Sequence, residues 1–79
     1  MIIPLAFADL NKSFKIVEIS EKCRHRKALI EKGFCVGNII SIKNSSNGNF
    51  IVEVNGSQYV IGFNYAKNIL VEWLQPYGL

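Results

Sequence analysis

Phe50-Ile51-Val52-Glu53-Val54-Asn55-Gly56-Ser57-Gln58-Tyr59-Val60-Ile61-Gly62 holds two apolar runs on either side of an Asn-Gly pair. A two-residue type I′ turn needs positive φ at both central positions, and Asn and Gly tolerate that best. So short a turn leaves one register: Val54 opposite Ser57, Val52 opposite Tyr59, Phe50 opposite Ile61. Phe50, Val52, Val54, Tyr59 and Ile61 then share one face of the hairpin, and Glu53, Gln58 and Val60 share the other.

Outward from this hairpin the same β grammar repeats. Ile and Val together supply seventeen residues, mostly gathered in short runs between Asn, Gly and Ser. Upstream lie Phe14–Ile19, with Lys15 and Glu18 on its wet side, and Ile39–Lys43. The polar stretch Asn44–Asn49 reads as a mobile loop. Downstream, Ile69–Leu74 makes a last strand that Pro76 ends, and Asn64–Asn68 reads as one helical turn capped by Asn64. Between the first two strands Ser20 can cap a short helix, Glu21 suits its positive end, and Gly33 can take the left-handed position that stops it. Leu29, Ile30 and Phe34 would turn that helix towards the core. Five short strands with one short helix between strands 1 and 2 predict a mainly β fold, a small and partly open SH3-like barrel. Phe14, Phe34, Phe50 and Phe63 are expected to fill it.

The bulk properties bound the function. Seventy-nine residues allow one domain, 1–79, and an apolar content of 49% with 19% charged residues suits a folded core. A chain this short cannot bury both a sizeable core and a deep substrate cavity, which argues against an enzyme. No P-loop and no Ser/His/Asp set occurs, and His25 is the sole histidine. No catalytic residue, cofactor or metal ligand is expected. Cys23 and Cys35 should flank the helix, about 15 Å apart along its axis and too far for a disulfide. Cys23, His25 and Cys35 meet the same separation as metal donors. The opening run Ile2–Ala8 is neither a signal peptide nor a membrane span, so a cytosolic protein without membrane insertion is expected. The open strand edges leave room for weak self-association.

The order of these pieces resembles a known family. Pro4-Leu5, Leu10, the basic helix Arg24-His25-Arg26-Lys27-Ala28-Leu29, Gly33-Phe34-Cys35-Val36-Gly37, Gly56, and Ala66-Lys67-Asn68-Ile69 resemble the FeoA domain of ferrous iron transport systems, from about Ile3 to Val71. The chain departs from the pattern before the first strand, where Lys12-Ser13 replaces a glycine-bearing turn. The resemblance implies a small cytosolic accessory protein of ferrous iron uptake that binds FeoB, the membrane transporter with a GTP-binding domain. The related SH3-like domain of metal-dependent repressors is the alternative, as a stand-alone or weak nucleic-acid-binding module.

The net charge is +3 with histidine neutral, and the basic residues gather in Lys22, Arg24, His25, Arg26 and Lys27. Helical spacing places Arg24, Lys27 and Glu31 on one side and Arg26 nearer the core. A solvated helix with a Lys27–Glu31 pair is the plain reading. The functional one makes Arg24, His25, Arg26 and Lys27 a docking surface for an acidic patch on the transporter's G-domain. Nucleic acid is not expected, because no exposed aromatics interleave with the charges. Tyr59, Tyr65 and Trp73 lack the nearby acids of a proline-rich-peptide groove.

Overall fold

Asn55 and Gly56 both take positive φ, 54° and 79°, and the turn they form joins Asn49–Val54 (β4) to Ser57–Gly62 (β5) in the expected register. The computed structural model describes residues 1–74; Pro76 lies outside them. The buried row Phe50, Val52, Val54 and Ile61 faces inward from this hairpin, with Tyr59 half-buried among them.

The stretch Asn44–Asn49 is not a loop. Asn47 and Gly48 take the same left-handed pair of conformations, φ 52° and 79°, and close a second Asn-Gly hairpin. Ile39–Ser46 (β3) therefore runs on through the polar residues and pairs Ser46 with Asn49 and Ser45 with Phe50. The sequence hides this strand end because its side chains are exposed, so no apolar alternation marks it. Ile40 and Ile42 face inward in regular register, and a bulge at Lys43, between Ile42 and Asn44, shifts the pairing beyond them so that Ser45 stands opposite Phe50.

Phe14–Ile19 (β2) carries a second bulge, at Val17. Phe14 and Ile16 face inward, the register slips, and Ile19 faces inward three residues later. β2 meets β3 through two residue pairs, Phe14 with Ile40 and Lys15 with Ile39. Its other edge pairs with Ile69–Trp73 (β6), and β6 pairs in turn with Ile2–Pro4 (β1). β1 is a sixth strand beyond the five expected; three residues are too few to show alternation. The sheet order is β1-β6-β2-β3-β4-β5, antiparallel throughout, with β1 and β5 at its open ends.

The helix is shorter than its sequence suggests. Ser20 caps a turn, accepting the Lys22 N–H on its hydroxyl oxygen at 3.2 Å and the Cys23 N–H on its carbonyl at 3.0 Å. Helical backbone begins only at Arg26 and ends at Glu31 (α1). Its end is a Schellman motif: Gly33 N–H donates to Ile30 O and Phe34 N–H to Leu29 O, both at 3.0 Å. Gly33 sits at φ 107°, and a Cβ there would stand 3.2 Å from Asn55 Cβ, so the helix stop leans on the β4–β5 turn. Leu29 and Phe34 are buried there, as the sequence implied.

A second helical turn, Phe63–Ala66 (α2), begins after Gly62, and Asn64 lies within it instead of capping it. Phe63 is exposed, against expectation. It follows a strand edge and meets the ring of exposed Phe7 edge-on at 6.4 Å. Leu5, Ile16, Ile42, Val52, Ile69 and Val71 reach full burial in the single core cluster; each contributes about 1.5–3 kcal/mol by leaving water.

Candidate functional site

The basic residues sit where three segments meet. The end of β2 and the start of β6 are tied by Ser20 N–H to Asn68 O at 2.8 Å, which brings the approach to α1 against α2. Arg24 and His25 lie in the turn before α1, and Arg26 and Lys27 are its first two residues. All four are exposed. The Arg26 Nε–H donates to Ile19 O at 3.3 Å, so this guanidinium is held against the sheet as its core-side placement suggested. His25 meets Tyr65 edge-on, ring centres 5.3 Å apart and planes at 69°. That contact fixes the imidazole between two depressions of the surface.

The first depression is polar. Lys22, Arg24, His25 and Lys67 line it, with Tyr65 and the amides of Asn64 and Asn68, and no carboxylate. Lys67 was not legible as part of the basic group because it lies forty residues away in α2's C-cap; the only hint was its place in Ala66-Lys67-Asn68-Ile69. The expected Lys27–Glu31 ion pair does not form among the described residues, where Lys12–Asp9 at 3.4 Å is the one salt bridge. Arg24, outside the helix, does not share its face with Lys27 and Glu31.

The second depression is an apolar groove of about 270 Å³ between α1 and β5. Ala28, Leu29 and Lys32 form its helical wall and the successive residues Tyr59, Val60, Ile61 and Gly62 its strand wall. Tyr65 and His25 stand at the junction with the basic depression. The Tyr59 hydroxyl donates to Lys32 O at 3.2 Å and satisfies a carbonyl that the end of α1 leaves free. Two of the three aromatics considered for a groove thus share one, while Trp73 lies elsewhere, under the Lys12 ammonium at 5.4 Å from its ring centre.

Cys23 is buried and Cys35 half-buried, both as free thiols; the Cys35 thiol donates to Ile30 O at 3.2 Å. Among the described residues no three His, Cys, Asp or Glu side chains come together as a metal-binding group, so Cys23, His25 and Cys35 do not converge. No helix of the described residues is long and apolar enough to cross a membrane.

A six-stranded antiparallel sheet that curls around one core, with a short helix after its second strand and a polar and apolar surface pair beside it, defines an SH3-like module. The FeoA domain model matches residues 3–72, and the chain belongs to that family. A Methanocaldococcus jannaschii protein that carries the name Fe(2+) transport protein A is 30% identical over 69 residues, 87% of this chain and 84% of that one. The crystal structure of an iron uptake regulatory protein, FeoA, superimposes with a TM-score of 0.82 at 27% identity, covering 94% of this chain and 99% of that one. Stenotrophomonas maltophilia FeoA, an SH3 domain protein crystallised with zinc, gives a TM-score of 0.77 at 18% identity over 86% and 87% of the two chains. The family takes part in Fe(2+) transport as an accessory protein.

Proposed function

We propose that this chain is a small cytoplasmic accessory protein of ferrous iron uptake that binds the FeoB transporter on its cytosolic G-domain, through the basic surface around Arg24, His25, Arg26 and Lys27. The observation that carries the reading is the polar depression in which Lys22, Arg24, His25 and Lys67 converge with no carboxylate among its lining residues. Four basic side chains from two segments, uncompensated by local acid, favour an acidic partner through charge complementarity. Arg26, tied to Ile19 O, positions the turn, and Arg24 and Lys67 are the charges free to reach outward. The family's role in Fe(2+) transport supplies the context in which such a partner is met.

Titration of the full chain with the purified G-domain tests this. The double reversal Arg24→Glu, Lys67→Glu is expected to weaken binding by about tenfold or more and to remove most of its salt dependence. Circular dichroism of the variant should be unchanged, since both side chains are exposed. Equal affinity of variant and parent, or a salt-dependent shift of DNA with no binding to the G-domain, would overturn the reading.

A further inference from the structure

β5 is an end strand of the sheet, and its register shows which of its backbone groups are unused. A two-residue hairpin closes on a hydrogen-bonded pair, so Ser57, Tyr59 and Ile61 exchange backbone bonds with Val54, Val52 and Phe50. Gln58 and Val60 fall between them. Their N–H and C=O groups point away from β4, and no backbone partner meets them among the described residues. Successive residues from both faces of a strand can line one groove only when it follows the strand's edge, and Tyr59 to Gly62 do so. Val60 is 68% exposed, the most exposed large apolar side chain of the strand. Nothing blunts this edge: it carries no proline, no charge and no bulge.

We propose that the groove between α1 and the free edge of β5 receives an extended acidic and apolar peptide segment as an added strand. This deepens the docking reading above and rests on it. The segment's backbone bonds to Gln58 and Val60, an apolar side chain enters beside Leu29 and Tyr65, and its carboxylates meet Lys32 and the adjoining Arg24 and Lys67. Charge selects this occupant over a second copy of the chain. A copy brings the same uncompensated Lys32 to the edge, and its own Ser57–Gly62 strand offers no carboxylate.

The probe is a synthetic hexapeptide of alternating Glu and Val, titrated into the full ¹⁵N-labelled chain. The amides of Gln58 and Val60 are expected to shift and to gain hydrogen-exchange protection. A peptide with alternating Lys and Val should bind at least about tenfold more weakly. Val60→Pro removes an outward N–H without touching the β4 ladder, and should weaken binding about tenfold or more while Val60→Thr does not. Methylation of the peptide's own backbone nitrogens makes the same test in the parent chain, whatever proline does to the sheet. Absence of shifts at millimolar peptide, equal binding of the methylated or lysine peptide, or β5 shifts that follow protein concentration alone would overturn the proposal. The G-domain titration separates the two readings. If Arg24→Glu, Lys67→Glu loses the G-domain while the Glu-Val peptide fails to bind β5, docking stands and strand addition falls; the reverse pattern removes the docking reading.

Discussion

The sheet has two halves of different origin. β3, β4 and β5 form a meander from one continuous stretch, 39–62, with an Asn-Gly turn at each bend. β1, β6 and β2 come from residues 2–4, 69–73 and 14–19, so their side of the sheet exists only once the two ends of the chain have met. The direct strand pairing between the halves is two residue pairs long, and the shared core carries the rest. A local half can be specified by turn chemistry, whereas the distant half depends on burial to repay the entropy of closing long loops.

If the halves share one core energetically, damage to either must unfold both. Ile16→Ala empties a fully buried site on β2 and should cost about 3 kcal/mol, with a single urea transition and simultaneous loss of amide protection in β2 and β4. Surviving protection in β3–β5 would show the meander to be an independent unit. A smaller effect probes how the helix joins the meander. Gly33→Ala meets both a φ of 107° and Asn55 Cβ at 3.2 Å, whereas Gly56→Ala meets only a φ of 79° with open space around it. The first should cost roughly 2 kcal/mol and the second about 1 kcal/mol in urea midpoints at constant slope. Equal costs would mean that the helix stop does not lean on the hairpin. The smallest effect falls on the distant half's surface. Lys12→Ala removes an ion pair with exposed Asp9 and a contact over Trp73, and should shift stability by less than about 1 kcal/mol.

The candidate site divides along the same line. Arg24, His25, Arg26 and Lys27 stand together in the sequence, and their exposure follows from charge alone. Lys67 and Tyr65 join them only because Ser20 bonds to Asn68 and draws α2 against the approach to α1. Helical periodicity misplaced Arg24, since the turn held by Ser20 delays the helix to Arg26. Phe63 misled for a related reason: hydrophobicity says that a side chain prefers burial, not that the strand before it ends at the rim.

By itself the sequence determined the local conformations: the Asn55-Gly56 turn and its register, the inward row of β4 and β5, and the glycine that stops α1. Those depend on φ preferences and on alternation within a few residues, which no distant contact needs to supply. Only the tertiary structure decided that Ile2–Pro4 would be a strand, that a bulge at Val17 would correct the facing of β2 and one at Lys43 would shift the pairing of β3, and that β5 would be left as an edge beside a basic depression. Each of these is a relation between segments far apart in the chain, and burial and pairing create it when the ends meet.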